Sequence, residues 1–393
     1  MRLPHWFKKD EIKEKASRGD PDAQYMMALR YSEGLGVHRN DRKAEELFRL
    51  SAQNGSASSQ FMMGVLNDAD IGRLNAPIDA NEWYALAGNS GNTEAQFNLG
   101  YNYEHGIGAA ANPAEARHWY AKASAGGSGK ASFCLGCLEA TEGPDQNMEE
   151  ARRHLELAVS QGIPKAGYIL YALYTEGLDG RGENSFMAQK WLKKAAAAGD
   201  PSSMFVLAHM TLYGSDYVTK NEDEAWKLME GAALGGCLPA MTSLGLMYCF
   251  GISKHRPEPD VAFGLLKAAS LCGDASATAA IALMHLRGFG AAPDRNLAVT
   301  ECRAAAEKND SSGQNNLGVL CALGLNAGGT EEAIRLFDLA EKNGSKQAVL
   351  NKKVLPDSSK MHFELASGSI TVCFPTETAD RGSSGNQGDG KTT

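Results

Sequence analysis

One residue position recurs along most of the chain at a spacing of 35 to 37 residues. It ends an apolar, helix-like stretch each time, and it is glycine in every case but one, where asparagine stands. Glycine and asparagine are the residues that best tolerate the left-handed backbone conformation just beyond a helix end. We call these the closing residues: Gly19, Gly55, Gly91, Gly127, Gly162, Gly199, Gly236, Gly273, Asn309 and Gly344. A period of this length predicts a stack of small, similar units rather than one globular core.

Each unit has the pattern of two helices joined by a glycine-rich turn. A first-type helix opens with a small residue four positions after the closing residue and carries a glycine in its interior in several units. Interior glycine costs about 1 kcal/mol relative to alanine, so its recurrence indicates close contact with a partner helix. The second-type helix has two small residues seven positions apart, as at Ala116 and Ala123, with a bulky pair such as Trp119-Tyr120 between them.

The segments AQFNLGYNYEHGIG (95–108) and AEARHWYAKASAGG (114–127), and likewise AQYMMALRYSEGLGV with AEELFRLSAQNG, resemble the Sel-one-like repeat (SLR) family. This family is related to the tetratricopeptide repeat, whose period is shorter, at about 34 residues. The resemblance covers residues 20–344, or about nine units. It implies an all-α fold, a right-handed α-solenoid of about nine helix-turn-helix repeats in which each unit contacts its neighbours.

Both ends of the chain depart from the repeat pattern. We expect an N-terminal capping helix in residues 1–19, anchored by Trp6 and Phe7, and a C-terminal capping helix in residues 345–356. Alternation of apolar and polar residues around a Ser-Gly-Ser turn predicts a short β-hairpin in residues 357–374. The composition of residues 375–393 predicts a disordered tail. Unit two is degenerate, with Asn67 and Asp70 where tyrosine and glycine belong, so an irregular loop is expected there.

Composition excludes several classes of protein. The net charge of −8 and pI near 5.7 argue against a nucleic-acid surface, which needs a clustered basic face. No apolar run approaches eighteen residues, so membrane insertion is not expected. The N-terminal residues lack the apolar segment of a secretory signal, and the eight cysteines are scattered. These features predict a cytoplasmic protein with reduced thiols, which we expect to be a monomer.

Four motifs suggest chemistry, and in each case the context argues against it. GNQGDGKT (385–392) matches a phosphate-binding loop, but such a loop needs a strand before it and a helix after it. The G-x-G triplets recur at the repeat period inside helix-helix turns. Cys134 and Cys137 form a C-x-x-C, but they fall in mid-helix without a second pair at zinc spacing. The nine histidines fall at unrelated phases. We therefore expect no catalytic residues, no cofactor and no metal.

An aromatic stripe marks the first-type helices of six consecutive units, six residues after each closing residue. Its members are Tyr25, Phe61, Phe97, Phe133, Tyr168 and Phe205. The next three units carry Thr242, Ala279 and Asn315 at this phase. In such solenoids the first helices line the concave surface, so the stripe, with Gln96 and Asn98 beside it, is a candidate partner-binding surface. The alternative is that these rings pack between helices, and the resemblance itself implies an aromatic residue here.

The predicted function is a non-enzymatic scaffold or adaptor for protein-protein interaction, with a protein or peptide partner on the concave face. The resemblance implies a bacterial protein. Two alternatives stay open: a secretion-associated immunity or effector protein that binds one specific partner, and a hydrolase acting on peptidoglycan-like or β-lactam ligands.

Overall fold

The computed structural model describes residues 9–68, 79–141, 146–177, 184–251, 256–355, 357, 360–365 and 372–375. These residues form twenty helices and two strands. The chain divides into two compact units, which we call the first unit (Met1–Trp191) and the second unit (Leu192–Thr393).

The first unit contains one short helix followed by helix pairs. Their bounds are α1 Lys9–Ser17, α2 Pro21–Glu33, α3 Asp41–Gln53, α4 Ala57–Asp68, α5 Ala80–Asn89, α6 Thr93–His105, α7 Pro113–Ala125, α8 Gly129–Ala140, α9 Met148–Ser160 and α10 Lys165–Glu176. Helix α11, Ser185–Ala197, contains the boundary between the units. From α2 to α19, even-numbered helices are of the first type, and each is followed by an odd-numbered helix of the second type.

The second unit continues the same alternation and ends in two strands. Its elements are α12 Pro201–Tyr213, α13 Glu222–Leu234, α14 Leu238–Phe250, α15 Pro259–Leu271, α16 Ala275–Arg287, α17 Arg295–Glu307, α18 Ser311–Ala322, α19 Gly329–Lys342, α20 Lys346–Lys353, β1 His362–Leu365 and β2 Val372–Pro375. The pairs α2/α3 to α18/α19 are the nine expected repeats, so the predicted all-α solenoid fold is confirmed.

The closing residues adopt the left-handed conformation that their identity predicts. The glycines among them have φ between 85° and 99°, and Asn309 has φ of 62°. Among the described residues, Asn309 is the one non-glycine with positive φ. Asn309 therefore has the same backbone conformation as the glycines, although its residue type differs. The spacing of these residues marks the ends of the second-type helices.

The residue after a closing residue ends one helix and starts the next. The Asn92 N–H donates to the carbonyl of Ala87 (3.0 Å) at the end of α5, and the Asn92 side chain accepts from the N–H of Ala95 (2.9 Å) in α6. This combines a C-terminal closing hydrogen bond with an N-cap in a single residue. The connection between repeats is therefore short and has a fixed geometry.

The interior glycines of the first-type helices face bulky side chains of their partner helices. At Gly100, an added Cβ would lie 2.7 Å from the ring of Tyr120. The same relation holds for Gly64 with Tyr84, Gly136 with Leu155, Gly245 with Leu266 and Gly318 with Phe337, at 2.5 to 2.8 Å. The close helix-helix contact predicted from these glycines is confirmed, because a Cβ at these positions would displace the bulky side chain that packs against the glycine.

The buried core differs between the two units. In the first unit it consists of separate clusters, such as the one around Ala116, Tyr120 and Leu135. In the second unit a single cluster extends from Ala208 to Leu365 and includes strand β1. The C-terminal strand is thus part of the second unit's apolar core.

Both ends of the chain contain regular elements where they are described. Helix α1 lies in the segment expected to cap the N-terminal end and α20 in the segment expected to cap the C-terminal end, and both capping roles stay predictions. Strands β1 and β2 pair antiparallel, with Phe363 opposite Phe374 and Leu365 opposite Val372. Four predicted features lie outside the described residues: Trp6 and Phe7, the loop of the second repeat beyond residue 68, the tail after Pro375 and the phosphate-loop motif.

The closing conformation can be tested at Gly273, where φ is +99° and an added Cβ would meet nothing within 4 Å. Gly273→Ala should lower the free energy of unfolding by about 1–2 kcal/mol, because alanine is strained in the left-handed region. Urea unfolding followed by far-UV circular dichroism measures this as a lower midpoint.

The matched control is Gly264→Ala, nine residues earlier in the interior of α15, where φ is not positive and a Cβ also meets open space. Alanine there should stabilise the helix by about 0.5–1 kcal/mol. Equal effects of both changes would contradict the left-handed assignment.

Candidate functional site

The six rings of the predicted aromatic stripe are all half-buried. We number positions from the closing residue of the preceding repeat, so that the stripe is position 6 of each first-type helix. In three repeats the ring packs on an aromatic residue of the second-type helix: Tyr25 on Phe48 (5.8 Å between centroids), Phe61 on Tyr84 (6.0 Å) and Phe97 on Tyr120 (5.8 Å). These rings therefore contribute to packing within a repeat while part of each remains accessible to solvent.

The other three stripe residues have different neighbours. Lys165 Nζ lies 5.8 Å from the ring centroid of Phe133. The ring centroids of Tyr168 and Tyr171 are 6.2 Å apart, and those of Phe205 and His209 are 4.6 Å apart in an edge-on arrangement. The structure thus places every member of the stripe at an intermediate depth. Their role in partner binding stays a prediction.

Gln96, at position 5, makes a structural hydrogen bond. Its side chain is buried, and its Nε2 donates to the Gly88 carbonyl (2.7 Å) near the end of the preceding second-type helix. Gln24, Gln60 and Gln314 repeat this bond to Ala16, Ala52 and Ala306 at 3.2 to 3.4 Å. Position 5 therefore links consecutive repeats and leaves little of the amide for a partner. Asn98, at position 7, is half-buried and hydrogen-bonds the Tyr84 hydroxyl.

Position 6 becomes buried where the aromatic stripe stops. Thr242, Ala279 and Asn315 are 4%, 0% and 0% exposed. In this region β1 lies against three consecutive even-numbered helices, α16, α18 and α20. From α16 onward, the side of the first-type helices that is partly open in earlier repeats is therefore covered by an extended segment of the chain itself, whereas Thr242 on α14 donates to the Asp274 carboxylate (2.7 Å).

Three asparagine side chains bind the main chain of β1; we call Asn315, Asn316 and Asn351 the asparagine cluster. Asn316 accepts from the N–H of Glu364 and donates to its carbonyl, both at 2.6 Å. Asn351 does the same to His362, at 2.9 and 2.7 Å. Each amide thus exchanges two hydrogen bonds with one strand residue, as a residue of a neighbouring antiparallel strand would.

Asn315 supports the other two amides. It donates to the Asn316 side chain (3.2 Å), accepts from Asn351 (2.9 Å) and contacts the His362 carbonyl (3.4 Å). All three asparagines are fully buried. Because buried amides are costly without partners, the cluster is satisfied only while β1 is in place or while water replaces it.

The side chains of β1 make the remaining contacts. Met361, Phe363 and Leu365 are buried in the apolar core of the second unit. Glu364 is 3% exposed, and its carboxyl accepts from the Ser345 hydroxyl. Burial raises the pKa of Glu364, an effect that the Ser345 hydrogen bond partly offsets and that nearby Asp310 increases.

The sequence reasoning did not identify the asparagine cluster as a site. The repeat register shows its relation to the predicted site, because Asn315 and Asn316 occupy positions 6 and 7, as Phe97 and Asn98 do in an earlier repeat. Asn351 occupies position 7 after Gly344. The recurrence of asparagine at position 7, in residues 98, 316 and 351, is the signal that could have found it.

An apolar cavity of about 350 Å³ adjoins the end of β1. Leu365 forms part of its wall, together with residues of α14, α15 and α16 that include Leu246, Leu266 and Leu283. Arg287 also lines it, and burial lowers the pKa of this arginine. The cavity can hold an apolar group next to the strand.

Most of the described thiols are buried or half-buried, whereas Cys272, His38 and His105 are exposed. The cysteines whose side chains are described are free, and burial raises the pKa of Cys134 and, to about 11, that of Cys137. A raised pKa opposes the thiolate form needed for nucleophilic or redox chemistry. His285 Nδ1 lies 2.8 Å from Glu301 and joins α16 to α17, a pair that the sequence did not reveal. Among the described residues, no His, Cys, Asp and Glu group is arranged to hold a metal ion.

One ionisable group in the first unit links protonation to stability. The Glu139 side chain is 14% exposed, with His154 at 3.8 Å and Glu150 also near His154, at 3.6 Å. Burial first, and then the charge of Glu150, raise the pKa of Glu139 to about 7, against the opposing charges of Arg117 and Arg153. Burial lowers the pKa of His154, so the neutral forms of both groups are favoured in the fold.

We predict that Glu139→Gln changes how stability depends on pH. A raised carboxyl pKa stabilises the fold fully below its unfolded value of about 4.3, and this contribution is lost as the pH rises through about 7. Glutamine cannot ionise, so the urea midpoint of the variant should rise relative to the wild type between pH 5 and pH 8. Glu176→Gln, at an exposed position at the end of α10, is the matched control for the loss of one carboxylate. A constant difference across this range would show that Glu139 is solvated.

Comparison with known proteins identifies similar folds. The solved structure of c5321, a protective antigen present in uropathogenic Escherichia coli strains with an SLR fold, is 27% identical, has a TM-score of 0.70 and covers 88% of this chain and 74% of that chain. A Sel1 repeat protein from Oxalobacter formigenes is 25% identical, with a TM-score of 0.60 over 77% of this chain and 87% of that chain. Among curated proteins, none matches significantly.

The repeats themselves match a known family. The model of the Sel1 repeat matches nine segments: 21–56, 57–92, 93–128, 135–163, 166–200, 201–237, 238–274, 275–310 and 311–345. These segments follow the helix pairs, except that 135–163 begins within α8. The resemblance stated from the sequence is confirmed, and the chain belongs to the Sel1 repeat family.

Proposed function

We propose that this chain is a non-enzymatic interaction scaffold that binds an extended segment of a partner protein along positions 6 and 7 of its first-type helices. Sel1 repeats generally mediate protein-protein interactions. One observation carries the proposal: Asn315 and Asn316, at these positions of α18, bind the main chain of the extended strand β1. The same positions in the first unit, such as Phe97 and Asn98, are half-buried.

The residue types at these positions suit the binding of a polypeptide. The ring of Phe97 is already held in place by its contact with Tyr120, so binding a partner costs little further conformational entropy. Its accessible part offers apolar surface to the partner. The asparagine amide can donate to a carbonyl and accept from an N–H at the same time. Together these groups bind an extended main chain and the side chains beside it.

The chemistry of two thiols argues against one kind of catalysis, that by a cysteine nucleophile at Cys134 or Cys137. The raised pKa values of Cys134 and Cys137 keep these thiols protonated at neutral pH. None of the helices in the described ranges is long and apolar enough to span a membrane. A bacterial origin, a cytoplasmic location and a monomeric state are further parts of this proposal; the source organisms of the two solved relatives support the first.

The test is capture of a partner by the full chain as bait, with the captured proteins identified by mass spectrometry. Asn98→Ala and the double change Phe97→Ala/Asn98→Ala should each reduce capture of the same partner, the double change at least tenfold, or about 1.4 kcal/mol. Asn98→Ala leaves the ring contact with Tyr120 in place and should stay folded under the conditions of the capture experiment, with an unfolding midpoint lowered only by the lost hydrogen bond to Tyr84.

Leu86→Ala provides the matched control, because Leu86 is an apolar side chain, 46% exposed, on the second-type helix α5. Its truncation should leave capture unchanged. The proposed surface would be refuted if the double variant captured the partner as well as the wild type does. It would also be refuted if only Leu86→Ala reduced capture. Turnover of a peptidoglycan-like or β-lactam substrate by the purified chain would refute the non-enzymatic assignment.

A further inference from the structure

The asparagine cluster takes the place of a third strand beside β1. One edge of β1 pairs with β2, and the other edge bonds to Asn316 and Asn351 through both the N–H and the carbonyl of Glu364 and His362. Main-chain groups are common to all polypeptides, so these four hydrogen bonds do not depend on the sequence of the bound segment. The cluster has the chemistry of a general site for extended chain.

The side-chain contacts add selectivity to this main-chain binding. Phe363 and Leu365 are buried on the apolar core, and the Glu364 carboxyl accepts from Ser345. An extended segment with an acidic residue between two apolar ones meets all of these contacts. A lysine in place of the acidic residue would bury an unpaired charge.

The choice of asparagine suits a site that can be vacated. An apolar residue in place of Asn315, Asn316 or Asn351 would expose an apolar patch to water whenever β1 left the site. Asparagine instead exchanges its bonds to the strand for bonds to water, which keeps the empty site solvated. While the strand is bound, the same amides satisfy the N–H and carbonyl groups of His362 and Glu364.

The occupant is attached by a short connection. Helix α20 ends at Lys353 and β1 begins at His362. A short linker gives a tethered segment an effective concentration on the order of millimolar. A second copy of the chain offers the same segment without this advantage, so the competitor that displaces β1 is a different polypeptide with better side-chain contacts.

We propose that Asn315, Asn316, Asn351 and Ser345 form a peptide-binding site that the chain's own β1 occupies, and that a partner's extended segment of the pattern apolar-acidic-apolar displaces this strand. The inference rests on the proposed function and assigns to it a second site, in the second unit, with its own ligand chemistry. The occupied site represents the resting form of the chain.

The test uses the full chain and a fluorescently labelled synthetic peptide with the sequence of residues 357–375, in which Cys373→Ser prevents oxidation. Wild-type chain should bind it weakly, because β1 competes. The full-chain variant Phe363→Ser/Leu365→Ser should release its own strand and bind the peptide at least tenfold more tightly by fluorescence anisotropy. A folded variant that gains no affinity would overturn the proposal.

Two controls define the site. Adding Asn316→Ala and Asn351→Ala to the released-strand variant should abolish binding, and the peptide carrying Glu364→Lys should bind at least tenfold more weakly than the unchanged peptide. Retained binding in either case would mean that the peptide attaches elsewhere, which contradicts the assignment.

Hydrogen exchange on the wild-type chain tests the proposal without any substitution. The amides of His362 and Glu364 should exchange faster than those in the middle of α18. Excess peptide should increase their exchange rate further, because it displaces β1 and exposes these amides to water. If β1 exchanges only when the whole second unit unfolds, the strand is a permanent part of the core and the proposal is wrong. This outcome leaves the proposed surface of the first unit, around Phe97 and Asn98, unaffected.

Discussion

The geometry of the chain depends on one backbone conformation, the left-handed residue that ends each second-type helix. The residue after it closes the old helix with its N–H and often caps the new one with its side chain, as Asn92 and Asp310 do. This turn fixes the start of every first-type helix relative to the helix before it. The numbering of positions along that helix therefore has the same structural meaning in every repeat, including the one where asparagine replaces glycine.

Given this register, the roles of three neighbouring positions separate clearly. Position 5 holds a glutamine in several repeats that bonds to the preceding helix, as Gln96 does. Positions 6 and 7 lie at intermediate depth in the first unit and contact β1 in α18 of the second unit. The change from aromatic residues to Ala279 and Asn315 follows from this difference, because β1 lies against α16 and α18 and a large ring would occupy the space that the strand takes. The contact between α18 and β1 thus indicates that the half-buried positions 6 and 7 of the first unit can bind an extended segment in the same way.

Local signals in the sequence predicted most of the fold. Glycine spacing identified the helix ends, interior glycines such as Gly100 identified the close helix contacts, and alternation identified β1 and β2. The location of β1 could not be predicted in this way, because Asn316 and Glu364 are 48 residues apart and no repeat relates them. The pair of His285 and Glu301 was missed since a histidine stands there in place of the usual tyrosine. The stripe itself was found from the sequence, but its half-buried depth depends on tertiary packing.

The central claim is that positions 6 and 7 of the first-type helices face an extended polypeptide. Its most direct measurement is site-specific photo-crosslinking to a captured partner, with the photoreactive residue at position 98 or, for comparison, at position 86 on the second-type helix. The account predicts that position 98 crosslinks to one short, contiguous segment of the partner and that position 86 gives no crosslink. Crosslinking from position 86 alone, or from position 98 to sites scattered over the partner's surface, would contradict it.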